Sequence, residues 1–485
     1  MKMADIARPE PDDRPPRRPG WPRAAVAIGS LAVAGAGLFA STELHGIPAL
    51  HATPQPTHAA GIAATLRLAD DPPSGLVAPV FPAGAATLPA NSPLVGAFKG
   101  SPESRLINIY RAIGEQQTDI AIDAAAALTH DVPSFRLAQL VYADLLSARM
   151  GNSPRFGAAA VTPGARPGDP SINAELGDLR DEAMLRLHAL QERPPANQVP
   201  AEFVVLPKAI HHAIAVDTSR SRLYLFENGA QGVRLVSDHY VSVGKQGVDK
   251  SVEGDQRTPL GVYFVSDRVG RGSLGEEFGA GAMQLNYPNL FDKLHGRTGS
   301  GIYVHGVPFN TYSRPPKDSD GCVTLANEDL LMLMNTVPVH DTPVIITKKI
   351  HWVSNSAPQL DHAQILAAVN RWQSVRAADD SQALAAFYLP GAEPQPLLAP
   401  PPPPAVAPRG RHRAATPPPA PPSTSGEALV FDNLSVMTWL DEKETMVVTF
   451  HEHAARSTRE TTLRQYWERD AEASQWKIVA EGTVR

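Results

Sequence analysis

The chain has 485 residues. This length exceeds the usual size of one domain, so we expect two or three domains. Its single cysteine, Cys322, excludes an intramolecular disulfide and any zinc or iron–sulfur site built from several cysteines. The formal net charge of −6 gives no indication of a nucleic-acid partner. The 47 prolines and 36 glycines exceed the usual share, so we expect long linkers.

The N-terminus carries the pattern of an export segment. Five arginines lie within the first 23 residues, and an uncharged run rich in Ala, Gly, Val and Leu follows over 24–40. This run is long for the core of a signal peptide and slightly short for a membrane-spanning helix. We therefore expect 1–41 to be a cytosolic tail with a signal peptide or membrane anchor. The rest of the chain would be periplasmic or otherwise exported, either anchored by 24–40 or released after signal cleavage.

A tether and a helical region are predicted next. Residues 42–100 are dominated by Ala, Pro, Gly and Thr without a sustained period, which predicts a flexible tether. From Ser101 onward apolar residues recur at helical spacing, and an amphipathic stretch over 175–192 ends at a Pro-Pro pair. We predict three or more packed helices within 101–195.

Residues 203–350 have the pattern of a mainly β domain, with runs of Val, Ile, Leu and Tyr that alternate with polar residues. The predicted strands are 213–217, 222–228, 233–243, 261–266, 301–305, 322–325 and 343–347. One helix is predicted among them, at 327–336. Strands joined mostly by loops favour a β-sandwich or a meander over a doubly wound sheet.

The C-terminal part, 360–485, combines a helical pattern with strands. The helical pattern covers 361–388. A proline-rich tract over 390–426 cannot form a helix or a central strand, so we expect an extended insertion there. Four alternating segments then predict antiparallel strands at 430–440, 445–454, 463–469 and 476–481.

A histidine and the lone cysteine have the pattern of one catalytic site. His305 ends a predicted strand in a His-Gly pair, and Cys322 follows Gly321 in a short loop. Acyl transfer by a thiol requires a thiolate, which a neighbouring imidazole can generate by accepting the proton. A glycine before the nucleophile frees backbone N–H groups for the developing oxyanion. On composition alone Cys322 could equally be a small buried hydrophobe, although an unpaired thiol in an exported chain is an oxidation liability.

These residues together resemble the active-site signature of the YkuD-type L,D-transpeptidases, bacterial cell-wall enzymes with a mainly β catalytic domain. The motifs that carry the resemblance are His305-Gly306 and Ser319-x-Gly321-Cys322-Val323-x-Leu325. Further matching runs lie at 215–217, 222–226, 254–263 and 342–346. The resemblance covers about residues 205–350, under a third of the chain.

The resemblance implies roles for the residues of the two motifs. Cys322 would be the nucleophile, His305 the general base, and the carbonyl of Gly306 the group that orients the imidazole. Ser319 would steady the active-site loop, and the backbone N–H groups of Gly321 and Cys322 would form the oxyanion hole. The resemblance implies no metal and no organic cofactor.

One position departs from the family pattern. Many members have an arginine two residues after the cysteine, where this chain has Thr324. A threonine cannot supply the guanidinium fork that would meet a substrate carboxylate. The candidates that could compensate are Arg314, Lys317, Arg297 and Arg257, each of which could equally be a solvated surface charge.

The C-terminal part resembles an NTF2-like α+β cone with the proline-rich tract as an insertion. It would bind substrate or a partner, or form a dimer, or serve only for packing. The expected fold class is therefore multidomain α+β, with a small helical region, a mainly β L,D-transpeptidase domain and an NTF2-like cone.

The resemblance implies an enzyme that forms a cysteinyl thioester with a peptidoglycan stem peptide and releases the terminal D-amino acid. An amine acceptor would complete transpeptidation, whereas water would make the protein an L,D-carboxypeptidase that trims tetrapeptides to tripeptides. A third alternative is a non-catalytic cell-wall scaffold. The expected partners are peptidoglycan stem peptides and no nucleic acid, with other cell-wall enzymes and N-terminal membrane contact as further candidates.

Overall fold

A computed structural model describes residues 99–151, 170–194, 197–355, 360–392, 428–441, 444–458, 460–470 and 475–484. The predicted export segment, nearly all of the tether and nearly all of the proline-rich insertion lie outside these residues. All of the described residues belong to one compact unit. None of the helices in the described ranges is long and apolar enough to cross a membrane.

Four helices form the first described region. They are α1 (Pro102–Gly114), α2 (Thr118–Asp131), α3 (Arg136–Arg149) and α4 (Pro170–Gln191). Apolar residues at helical spacing, among them Leu106, Ile109 and Leu128, are fully buried in a common core. Helix α1 begins where the Ser101 hydroxyl accepts a hydrogen bond from the Ser104 N–H, which satisfies one of the free donors of the first turn.

Thirteen strands, two α-helices and two short 3-10 helices lie between residues 198 and 354. The strands are β1 (Gln198–Pro200), β2 (Phe203–Val205), β3 (His212–Asp217), β4 (Arg222–Gly229), β5 (Gly232–Tyr240), β6 (Val243–Gly244), β7 (Gly261–Gly270), β8 (Gly281–Leu285), β9 (Tyr303–His305), β10 (Lys317–Ser319), β11 (Val323–Thr324), β12 (Pro343–Thr347) and β13 (Trp352–Ser354). The α-helices are α5 (Leu290–Leu294) and α6 (Asn327–Thr336). Each strand that we predicted here is present, with end points that differ by a few residues.

Eight of these strands form one mixed sheet in the order β11-β9-β8-β7-β12-β3-β4-β5. Strand β12 pairs parallel with β3 and antiparallel with β7, and β11 pairs parallel with β9. The expectation of a β-sandwich or a meander was therefore wrong for the described residues. Local alternation of side chains specifies a strand but not its partner, and parallel pairs join segments that are distant in sequence.

The C-terminal part contains two helices and four long strands. They are α7 (Leu360–Ala377), α8 (Ser381–Ala385), β14 (Leu429–Trp439), β15 (Thr445–Ala454), β16 (Thr461–Arg469) and β17 (Trp476–Val484). The strands form an antiparallel sheet in the order β17-β16-β15-β14-β2, so β2 crosses over from the start of the preceding region.

The C-terminal sheet buries both of its faces, because successive side chains along a strand point to opposite sides. On one side Trp372 of α7 packs against Phe450 and Trp467. On the other side Met437 and Tyr466 belong to the same hydrophobic core as the eight-stranded sheet. The two sheets therefore share a core. The assignment of this part as an NTF2-like cone stays a prediction.

Candidate active site

The pairing of β9 with β11 places the two motif residues on neighbouring strands. In this parallel pair Val304 lies opposite Val323, and His305 lies opposite Thr324. Both valines are fully buried in the core, so the alternate positions face the other side of the sheet. Cys322 directly precedes β11, and its thiol lies 3.6 Å from the carbonyl oxygen of Gly301, just before β9. The thiol therefore lies beside the strand that ends at His305.

His305 is held in one orientation by its neighbour. Its Nδ1 lies 2.7 Å from the carbonyl oxygen of Gly306. Because a carbonyl can only accept, Nδ1 carries the hydrogen, and Nε2 keeps a lone pair that can take a proton. The ring of Phe278 lies 4.7 Å from the imidazole, centroid to centroid.

The imidazole is uncharged at neutral pH. Burial lowers the pKa of His305 to about 4, the hydrogen bond to Gly306 opposes this shift, and the positive charge of Arg314 adds to it. The base is therefore available to accept a proton across the physiological range.

The thiol is also uncharged in the free protein. Burial raises the pKa of Cys322 to about 11, and the charge of Asp320 raises it further. The backbone N–H of Tyr303 and the charges of Arg314 and Lys250 oppose the shift without cancelling it. Burial therefore favours the uncharged form of both the Cys322 thiol and the His305 imidazole in the free protein.

The loop before the cysteine is fixed by its own hydrogen bonds. The Ser319 hydroxyl donates to the carbonyl oxygen of Cys322 at 2.6 Å and accepts from the N–H of Gly321 at 3.2 Å. Gly321 has φ +127°, and a Cβ at this position would lie 2.8 Å from the carbonyl oxygen of Arg257, so only glycine fits. In this conformation the Gly321 N–H is used within the loop.

Of the four basic candidates, Arg314 acts on both motif residues. Its charge lowers the pKa of Cys322 and of His305. Its guanidinium donates to the carbonyl oxygen of Asp318 at 3.1 Å, and its own carbonyl oxygen accepts from the Tyr240 hydroxyl at 3.0 Å. Arg314 is therefore held at both ends beside the site.

The other three basic candidates are either exposed or paired away from Cys322 and His305. Arg257 is exposed and donates to the carbonyl oxygen of Val248 at 3.0 Å. Lys317 is exposed and lines a cavity beside α4. Arg297 donates to Asp292 at 3.1 Å and lies over the ring of Trp439, so its guanidinium is engaged at the contact with the C-terminal sheet.

Thr324, where many relatives carry arginine, is inside the protein. Its side chain is buried, and the backbone of this residue exchanges two 2.9 Å hydrogen bonds with Ser242. The Ser242 hydroxyl in turn accepts from the N–H of Asp318 at 3.1 Å. Ser242 and Arg314 therefore hold the 314–319 segment without an arginine at position 324.

Two residues of the site were missed by the sequence analysis, and the first is Asn327. Its side-chain oxygen accepts from the N–H groups of Ala280 at 2.8 Å and Val307 at 3.3 Å, and its amide donates to the carbonyl oxygen of Val307 at 2.8 Å. The same oxygen occupies the space that a Cβ on Gly306 would need. Asn327 therefore fixes the backbone that orients His305. Its position at the start of α6 was the only signal in the sequence.

The second is Lys250. It is 4% exposed and donates to Asp255 at 2.8 Å and to the carbonyl oxygen of Val252 at 3.0 Å. Its charge also lowers the pKa of Cys322. Nothing in the sequence distinguishes this lysine from a surface charge.

The segment that carries Arg314 also contacts the helical region. The Tyr312 ring lies 4.2 Å from the Phe135 ring, centroid to centroid, and the Ser313 hydroxyl donates to the buried Glu182 of α4 at 2.7 Å. Arg186 of α4 lies over the ring of Tyr240, 3.8 Å from its centroid. The helical region thus supports the loop that leads into the site.

The family comparison agrees with the motifs. The family model of the L,D-transpeptidase catalytic domain, YkuD, matches residues 211–346. Similar solved structures include Bd1075 from Bdellovibrio bacteriovorus, with 20% identity, coverage of 59% of this chain and 98% of that chain, and a TM-score of 0.45. The helical cell shape determining protein Pgp2 from Campylobacter jejuni has 17% identity, coverage of 62% and 99%, and a TM-score of 0.43. An L,D-transpeptidase from Mycobacterium smegmatis has 16% identity, coverage of 28% and 58%, and a TM-score of 0.20.

A search of the curated proteins gives no match to the chain. The family match includes both motif residues, Cys322 and His305. Residues 211–346 are therefore a YkuD-type L,D-transpeptidase catalytic domain.

Proposed function

We propose that this protein is a cysteine L,D-transpeptidase that acts on peptidoglycan stem peptides. The observation that carries the proposal is the contact between His305 Nδ1 and the Gly306 carbonyl oxygen within the matched family domain. This contact leaves Nε2 as the base, on the strand beside which the Cys322 thiol lies. Stem peptides occur outside the cytoplasmic membrane, in accordance with the export predicted for 1–41.

The first half-reaction forms the thioester. The Cys322 thiol gives its proton to His305 Nε2 as the sulfur attacks the carbonyl carbon before the terminal D-amino acid. The C–N bond then breaks, His305 returns the proton to the leaving amine, and the acyl group remains on sulfur. Because thiol and imidazole are both neutral beforehand, the proton moves as the carbon–sulfur bond forms.

The second half-reaction transfers the acyl group. An amine of a second stem peptide attacks the thioester carbon, His305 accepts a proton from that amine, and the Cys322 sulfur leaves and recovers the proton. Of the two N–H groups implied by the resemblance, that of Cys322 would stabilise the oxyanion, since that of Gly321 is bonded to Ser319. Arg314 is the group we assign to the carboxylate of the departing D-amino acid, because its charge reaches both reacting side chains.

A product assay tests this function. The full chain is incubated with disaccharide tetrapeptides, and the products are separated and weighed by mass spectrometry. Crosslinked dimers together with released D-amino acid are the expected result. Tripeptide without dimer would assign the protein as an L,D-carboxypeptidase instead. Unchanged tetrapeptide with a folded protein would contradict both and favour a cell-wall scaffold.

A further inference from the structure

A cavity of about 430 Å³ lies between the catalytic domain and the C-terminal sheet. Phe264 and Asp341 line it from the catalytic domain, and Ser435, Thr449 and Arg464 line it from the sheet. Its volume falls in the range of pockets that hold small molecules. This cavity is separate from the residues that surround Cys322.

Arg464 is the unusual member of this lining. It is 7% exposed, its Cζ lies 3.4 Å from the centroid of the Phe264 ring, and its Nε donates to the Thr449 hydroxyl at 3.0 Å. Burial lowers the pKa of Arg464 to about 10, while Tyr466 and Asp341 oppose the shift, so the guanidinium remains charged at neutral pH.

The other buried arginines of the described ranges all have carboxylate partners. Arg105 contacts Asp131, Arg186 contacts Glu182, and Arg222 contacts Glu103. Among the described residues no carboxylate lies within 4.0 Å of the Arg464 guanidinium. A buried charge without a counter-charge is costly, which indicates that an anion completes this site.

The buried hydroxyl of Ser435 also indicates that an anion binds near Arg464. Ser435 lies opposite Thr449, and Thr449 lies opposite Arg464, so the three side chains form one row across β14, β15 and β16. The Ser435 hydroxyl is buried, lines the cavity and has no hydrogen-bond partner among the described residues. The parallel row of Met437, Val447 and Tyr466 is apolar and packed in the core. The row of Ser435, Thr449 and Arg464 is therefore polar on a sheet face whose neighbouring row is apolar and buried.

We infer that the row of Ser435, Thr449 and Arg464 binds a small carboxylate. The guanidinium offers parallel N–H donors that match the two oxygens of a carboxylate, and the free Ser435 hydroxyl can donate to the same group. Asp341 is the acidic side chain among the described lining residues, and it would repel a doubly charged phosphate more than a singly charged carboxylate. The carboxylate comes either from a free amino acid, whose ammonium would meet Asp341, or from the C-terminus of a peptide.

Binding of glycine and of N-acetylglycine to the full chain, measured by ligand-observed NMR at constant ionic strength, tests this site. N-acetylglycine represents a peptide C-terminus and glycine a free amino acid, so the tighter ligand identifies the source. Arg464→Gln should weaken binding about tenfold or more, and Ser435→Ala should weaken it about threefold. Arg469→Gln is the matched control, because Arg469 lies on the same strand and is paired with Glu444. It should bind as the wild type does.

The inference does not depend on the proposed acyl transfer, and Cys322→Ala separates the two. Binding that survives in Cys322→Ala and falls in Ser435→Ala supports the cavity as the site. Binding that disappears in Cys322→Ala would move the carboxylate to the active site and overturn the inference. So would the absence of saturable binding to the wild type, or equal binding by the wild type and Ser435→Ala. Ser435→Ala decides the matter if Arg464→Gln does not fold, since it removes a hydroxyl that has no partner in the described structure.

Discussion

The Ser313 hydroxyl donates a 2.7 Å hydrogen bond to the carboxylate of Glu182 and so joins the active-site loop to the helical region. Glu182 is fully buried and also accepts from Arg186 at 2.7 Å. The next residue along the loop is Arg314, whose charge acts on both Cys322 and His305. A contact with a helix outside the catalytic domain therefore fixes a charge inside it.

Ser313→Ala tests the importance of this contact. Burial raises the pKa of Glu182 to about 8, so the magnitude of an uncharged hydrogen bond applies, about 0.5–1.5 kcal/mol, and the loss of this bond also leaves a buried Glu182 oxygen with one partner fewer. We expect the free energy of unfolding in urea to fall by about 1–2 kcal/mol. Ser374→Ala is the control, because its exposed hydroxyl bonds only within its own helix, and it should leave the unfolding midpoint unchanged. Equal midpoints for both variants and the wild type would show that the contact is dispensable.

The alkylation rate of Cys322 should have an unusual pH dependence. Because burial raises the pKa of this thiol to about 11, the thiolate is a small fraction at pH 7 and grows about tenfold for each pH unit. Alkylation of the free protein by iodoacetamide should therefore keep rising through pH 9 without a plateau. A plateau near pH 7 would indicate a preformed thiolate and contradict the neutral pair.

Arg314→Gln should slow that alkylation at any fixed pH below the pKa of the thiol. Removal of the positive charge raises the pKa of Cys322, so less thiolate is present and the rate falls several-fold. The pKa of His305 should rise as well, and NMR titration of the imidazole would detect it. Lys317→Gln removes an exposed charge of the same sign nearby and should change neither value. Identical rates for Arg314→Gln and wild type would remove Arg314 from the site.

Asn327→Ala should weaken the catalytic domain. The substitution leaves two N–H groups and one carbonyl without their partner, at a cost of about 1–3 kcal/mol for each group that stays buried. We expect a loss of at least about 2 kcal/mol in the free energy of unfolding, with a larger loss of product formation because the Gly306 backbone shifts. The exposed Asn310→Ala provides the comparison. Full activity in Asn327→Ala would show that the Gly306 backbone does not need this support.

The sequence predicted the positions of the strands and helices well, but it predicted poorly which strands pair with each other. The apolar patterns over 445–454 and 343–347 correspond to β15 and β12, because the burial of a strand determines which of its consecutive residues are apolar. The pairing of β2 with β14 of the C-terminal sheet produces no such local pattern in the sequence. Pairing between distant segments depends on packing that no short window of sequence contains.

The same limit applies to the site. His305 and Cys322 were predicted because a short motif surrounds each, whereas Asn327 and Glu182 contact the site region from elements that carry no motif. The sequence also could not give the charge state of the thiol, since burial sets its pKa and burial is a property of the fold. Arg297 was an equal candidate on charge, and its contacts with Asp292 and Trp439 separate it from Arg314, whose charge lowers the pKa of both Cys322 and His305.

The intact mass of the protein after incubation with a carbapenem shows whether the Cys322 sulfur takes the acyl group. The wild-type chain should gain the mass of one carbapenem, and His305→Ala should gain it far more slowly, because the thiol then lacks its base. Cys322→Ala should gain no mass. An adduct of equal yield in Cys322→Ala would show that a group other than the Cys322 sulfur takes the acyl group.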